Sequence, residues 1–180
     1  MTLTVGGKVP AFDLESTIGG RVSLQSLRGE RFVLFFYPRD NTPGCTREAC
    51  DFQDKYDQLK RKGVRVYGVS KDSIRSHEGF RQKFELTFPL LSDPDNVVGK
   101  AYGAFGQKKM YGKAVVGTIR STFLISGDGK LEAVWSPVKV DGHVDAVLAT
   151  IKGEPAKVAP KGKAVPARAA SKKPSKPARR

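Results

Sequence analysis

RFVLFFY at positions 31–37, PRDNTPG at 38–44 and CTREACDFQDKYDQLKR at 45–61 together decide the fold. Arg31 to Tyr37 is a near-continuous apolar run, as a central strand covered on both faces requires. From Thr46 to Lys62 the apolar positions Ala49, Phe52, Tyr56 and Leu59 recur at spacings of three and four, which predicts an amphipathic helix. That reading leaves Arg47, Glu48, Asp51, Asp54 and Lys55 on the opposite, polar face. The seven residues between strand and helix are rich in turn formers.

Outward from this unit the alternation continues. Val64 to Ser70 reads as a second core strand, and Ser73 to Glu85 as a helix with Ile74, Phe80 and Phe84 on its apolar stripe. Strand, helix, strand, helix implies parallel pairing with right-handed crossovers. Thr118 to Ile125 and Leu131 to Trp135 are short strands flanking Ser126-Gly127-Asp128-Gly129, an antiparallel hairpin signal. Asp141 is the expected N-cap of a last helix carrying Val144, Val147, Leu148 and Ile151. Ala11 to Glu15 and Arg21 to Leu24 read as a hairpin around Gly19-Gly20, and the glycine- and lysine-bearing stretch 103–117 as a mobile loop near a substrate entrance. The expected class is α/β with a mixed central sheet flanked by helices.

Charge is unevenly spread. Positions 1–150 hold 22 basic and 17 acidic residues, net +5, whereas 151–180 hold 10 basic residues and one acidic, Glu154, net +9. Residues 154–180 contain no aromatic residue and five of the chain's 11 prolines. Such a segment cannot bury enough apolar surface to offset its ordering entropy. The expected organisation is a domain over 1–153 and a disordered Lys/Ala/Pro-rich basic tail over 154–180. A polycation of this kind suits sequence-independent binding of nucleic-acid phosphates with steep salt dependence; the alternative is a solvated tail.

The longest apolar run is far shorter than the roughly 20 residues of a spanning helix, so no membrane partner is expected. Met1 to Gly20 has no apolar stretch leading to a cleavage site. A cytoplasmic setting is expected, nucleoid-associated if the tail binds nucleic acid. Two cysteines make no extracellular disulfide framework. His77 and His143 match no ligand spacing with them, so no metal and no cofactor is expected, and His77 is read as exposed or half-buried. Trp135 is expected to be partly buried.

Cys45 falls at the C-terminal end of the apolar strand and the start of the helix, where open α/β sheets place ligands. The positive end of a helix there favours thiolate over thiol. Cys50 is five residues on: in a helix that separates the α-carbons by about 8.6 Å, whereas a disulfide needs about 7 Å or less. The two bridge only if the first turn unwinds. Cys50 therefore reads either as half of a two-state element or as a small buried hydrophobe, and spacing alone leaves both open.

Pro38-Arg-Asp-Asn-Thr42-Pro-Gly-Cys45 resembles the peroxiredoxin pattern of Pro, three residues, Thr or Ser, two residues, Cys. The run FYPRDNTPGCTREACDFQD, with Leu91-Ser92-Asp93, Phe105 to Lys109, Gly112-Lys113 and Arg120 to Ile125, is similar to the bacterioferritin comigratory protein or peroxiredoxin Q subfamily over roughly residues 3–152. The resemblance implies a thioredoxin-like fold and a thiol peroxidase acting on hydrogen peroxide and organic hydroperoxides. It implies Cys45 as peroxidatic cysteine, Thr42 as hydrogen-bond donor to thiolate and peroxide, Arg120 as charge partner and Pro38 as shield. Cys50 falls where many members carry the resolving cysteine, which implies a Cys45–Cys50 intramolecular disulfide. Thioredoxin is the implied reductant, with a glutaredoxin as alternative, and a monomer the implied state. Two other classes compete: a general thiol-disulfide oxidoreductase, whose usual C-x-x-C is absent, and a nucleic-acid-associated redox sensor.

Overall fold

The computed structural model describes residues 3–151; the expected tail, 154–180, lies outside them. Nine strands and four helices are present among the described residues: β1 Asp13–Ser16, β2 Arg21–Ser23, β3 Arg31–Phe36, α1 Pro43–Arg61, β4 Val64–Ser70, α2 Ile74–Phe84, β5 Leu90–Ser92, α3 Val97–Ala101, β6 Phe105–Met110, β7 Lys113–Thr118, β8 Ser121–Ile125, β9 Leu131–Trp135 and α4 His143–Thr150. Seven strands form one sheet in the order β2-β1-β5-β4-β3-β8-β9. β3, β4 and β5 are parallel, while β1, β2, β8 and β9 pair antiparallel. This is the mixed α/β arrangement that the strand and helix signals predict, and the thioredoxin-like fold that the resemblance implies.

β3 is central, and its side chains alternate between two cores. Val33 and Phe35, continued by Tyr37, face Phe52 and Leu59 of α1, Phe80 of α2 and Val147 of α4. Phe32, Leu34 and Phe36 face Phe12, Tyr67, Tyr102 and Phe123. Because both faces are covered, the strand is apolar at nearly every position. Phe35 stacks on Phe52 at 4.6 Å, fixing α1 across the strand that precedes it. No helix of the described residues is long and apolar enough to cross a membrane.

Three expectations change, and two short elements, β5 and α3, are added. α1 begins at Pro43, three residues earlier than the apolar periodicity shows, with Thr42 as N-cap; proline at the first helical position has the φ a helix needs. Residues 105–118 are a two-stranded hairpin rather than a loop. Its turn is Tyr111-Gly112, with φ of 51° and 76°, and its strands are largely solvent-facing, so no buried face wrote an alternation into the sequence. β5 and α3 carry three and five residues, too short for a period to show. The N-cap of α4 is Gly142, not Asp141; Asp141 instead pairs with Arg47 of α1.

Candidate active site

Two chain segments 75 residues apart meet at the C-terminal end of β3. Tyr37 ends the apolar run, and residues 38–42 turn the chain into α1, whose first turn carries Cys45. β8 runs antiparallel to β3 with Ser121 opposite Phe36, so Arg120, one residue before, arrives beside the same loop. The register of one strand pair therefore assembles the site. Gly44 completes it: a Cβ there would stand 3.2 Å from Arg120 Nη2, and its absence lets the guanidinium lie against the helix start.

Arg120 Nη2 donates to Cys45 Sγ at 3.4 Å, and Nη1 donates to Glu48 Oε2 at 2.5 Å. Cys45 is buried, and Glu48 is completely so. Burial opposes the charge on Arg120, but Glu48 and Cys45 outweigh it and raise its pKa. The arrangement places a fixed positive charge and a planar set of donors next to the sulfur, which suits an anionic nucleophile and a reaction in which negative charge moves onto a departing oxygen. Burial pushes the Glu48 carboxyl up to about 7, against the opposing pull of Arg120. Its second oxygen, Oε1, has no hydrogen-bond partner among the described residues.

Glu48 corrects the sequence reading, which set it on the polar face of α1. The signal was present: Glu48 lies three residues after Cys45 and four before Phe52, on the stripe that α1 buries. His77 is also corrected, being completely buried rather than exposed or half-buried. Its Nδ1 stands 2.8 Å from Asp40 Oδ2 and its Nε2 3.0 Å from Leu91 O. A polar residue on the apolar stripe of α2, three before Phe80, is the pattern that would have shown it.

Of the other expected site residues, Thr42 lies at the N-cap of α1, and its hydroxyl donates to Arg39 O at 2.8 Å, a turn contact. Pro38 is half-buried two residues beyond the end of β3. Cys50 is half-buried within α1 and, like Cys45, is a free thiol; burial, with Asp54 and Asp51 nearby, raises its pKa. Both cysteines being helical, they sit too far apart to bridge in this conformation. Asp40, Asp72 and His77 bring ligand-type atoms within 4.8 Å of one another, yet each is occupied by hydrogen bonds within the protein. The cleft lined by Lys8, Phe32 and Asp128 opens at the other end of β3, away from Cys45.

Residues 5–134 match the AhpC/TSA family. A bcp relative from Coxiella burnetii is 49% identical over 148 residues, 82% of this chain and 98% of that one. Peroxiredoxin Bcp of Escherichia coli is 41% identical over 150 residues, covering 83% and 96%. Among solved structures, peroxiredoxin Q of Xanthomonas campestris superposes with a TM-score of 0.73 at 42% identity, covering 78% of this chain and 89% of that one. A second structure from that organism, of its bacterioferritin comigratory protein, concerns alkyl peroxide reduction activity. With a match that spans the strand, the loop and the helix carrying Cys45, the chain belongs to the AhpC/TSA family and is a peroxiredoxin of the Bcp and peroxiredoxin Q kind, a thiol-dependent peroxidase that takes a peroxide as substrate and a thiol as reductant.

Proposed function

We propose that Cys45 is the peroxidatic cysteine and Cys50 the resolving one, in a cycle that reduces hydrogen peroxide and organic hydroperoxides. The observation that carries this is the Arg120 guanidinium held between Cys45 Sγ and Glu48. The Cys45 thiolate attacks one peroxide oxygen; an S–O bond forms, the O–O bond breaks, and the alkoxide or hydroxide leaves and takes up a proton. Arg120 stabilises that leaving charge, and Thr42, by rotation of its hydroxyl from Arg39 O, donates to the bound peroxide. Pro38 shields the pocket from water. The Cys50 thiol then attacks the Cys45 sulfenic acid: an S–S bond forms, the S–OH bond breaks, and water departs with the Cys50 proton. The raised pKa of Cys50 fits a group that waits as a thiol. Alkyl peroxide reduction by the Xanthomonas relative supports organic hydroperoxides as substrates.

An external dithiol of thioredoxin type, with a glutaredoxin as alternative, closes the cycle in a cytoplasmic monomer. The segment 154–180, with its near absence of acidic residues, forms a unit apart from the 1–153 domain and associates with nucleic acid, placing the enzyme at the nucleoid. The test of the cycle is rapid-quench mass analysis of the reduced protein with one equivalent of hydrogen peroxide. A sulfenic acid at Cys45 followed by a Cys45–Cys50 disulfide is the expected course. Full turnover by Cys45→Ser would overturn the assignment, and full cycling by Cys50→Ser would remove Cys50 from it.

A further inference from the structure

The loop that delivers Cys45 is tied at one residue. Asp40 Oδ1 accepts from Tyr37 Oη at 2.6 Å, Oδ2 accepts from Ser76 Oγ at 2.8 Å and faces His77 Nδ1 at 2.8 Å, and the Asp40 amide donates to Asp72 Oδ2 at 2.9 Å. The far side is equally fixed. Asp72 Oδ2 accepts from Ser70 Oγ at 2.5 Å, Ser92 Oγ donates to Asp72 O at 2.6 Å, and His77 Nε2 meets Leu91 O of β5 at 3.0 Å. A carbonyl only accepts, so His77 Nε2 meets Leu91 O as a donor, while its Nδ1 faces the Asp40 carboxyl in the interior. α2, which carries His77, is itself capped by Ser73, whose hydroxyl accepts from Ser76 N.

One residue further on, the buried side-chain ties to α2 stop. Asn41 has φ of 58°, the Thr42 side chain makes no cap bond to α1, and the first turn of that helix holds no acidic residue. A helix start without a side-chain cap is less stable by roughly 1 kcal/mol than a capped one. The buried tie between the loop and α2 thus ends at Asp40, five residues before Cys45, and beyond it only the Thr42 turn contact and Arg120 hold the helix start.

We propose that Asp40 and His77 are positioning residues of the peroxidase: a buried latch between the Cys45 loop and α2 that holds the sulfur against Arg120 and makes Asn41 the hinge at which the chain opens when Cys45 moves to Cys50. The hinge half of this rests on the reading of Cys50 as resolving cysteine. Neither residue touches the sulfur; both act through the path of residues 38–45. Loosening the latch removes support from the closed, peroxide-reactive form and leaves the open form, in which the disulfide is made, unharmed.

The experiment is single-turnover rapid quench of the full-length chain as Asp40→Asn, His77→Gln and the double variant, with circular dichroism to confirm the native fold. The expected result is a sulfenic acid step slowed about tenfold or more, a disulfide step unchanged or faster, and a double variant no slower than Asp40→Asn alone. Should the buried substitutions fail to fold, Ser76→Ala deletes a single hydroxyl from the latch and is expected to slow the first step alone by a smaller factor. A first step within twofold of the parent in the natively folded variants overturns the latch. So does a disulfide step slowed as much as the first, which marks general destabilisation. If the parent forms sulfenic acid and no intramolecular disulfide, the Cys50 reading fails and the hinge with it, while the first-step comparison still decides the positioning role.

Discussion

Replacing Gly44 by alanine brings a methyl carbon to 3.2 Å from Arg120 Nη2, closer than ordinary van der Waals contact. The guanidinium has little freedom to yield, being held by Glu48 on one side and Cys45 on the other. Gly44→Ala is therefore expected to slow sulfenic acid formation about tenfold or more with no loss of thermal stability, since alanine is the better helix former; stopped-flow rates beside melting curves check both halves. Glu48 supplies a second test. Burial pushes its pKa from 4.5 up to about 7, so the folded state binds the extra proton. The stability this carries is complete below the lower value and is lost as pH rises through about 7. Glu48→Gln cannot titrate, so its stability relative to the parent is expected to rise between pH 5 and pH 8 in urea titrations; a flat difference would place the carboxyl in the ordinary range.

Gly68, in the middle of β4, shows what the packing of elements demands. A Cβ there would meet Leu90 Cδ2 at 2.7 Å and Phe35 Cζ at 2.8 Å. The ring of Phe35 occupies that space because it also stacks on Phe52 of α1, so strand and helix are locked through one aromatic contact. Gly68→Ala is expected to destabilise the fold by about 1–3 kcal/mol through overpacking, read as a lower urea midpoint at unchanged slope. α1 has the opposite character at its two ends. Phe52, Tyr56 and Leu59 seat its later turns in the core, whereas its start has no side-chain cap; both cysteines lie in the turns next to that uncapped end. Such a helix can unwind one turn without losing its seat.

For the whole molecule, acid stability reports on His143. Burial, helped by the charge of Arg120, lowers its pKa from 6.5 to about 4, and its Nε2 lies 2.8 Å from Thr122 Oγ1. The unfolded chain binds a proton that the folded one refuses, so stability is complete above pH 6.5 and is lost as pH falls through about 4. His143→Gln is expected to flatten that loss, measured as the pH dependence of the melting temperature. Truncation after Gly153 removes nine of the 32 basic residues and one acidic residue, Glu154. It is expected to leave peroxide turnover unchanged and abolish salt-sensitive binding to duplex DNA; equal binding by the shortened chain would sink the nucleic-acid role of residues 154–180.

Hydrophobic period alone made the α/β order of elements and the strand-loop-helix unit ending in Cys45 legible, and the thiol peroxidase chemistry was legible through the resemblance that Pro38, Thr42 and Cys45 carry, because all of these are local features of the chain. The sequence left the 105–118 hairpin unread, since strands exposed on both sides write no alternation. It also misplaced Glu48 and His77. Their residue types argue for a polar surface, and only the tertiary structure shows that Arg120 comes from 72 positions away to meet Glu48 and that Asp40 waits 37 positions before His77. A buried charge is tolerable only beside its partner, and partners brought together by strand register cannot be read from either segment alone.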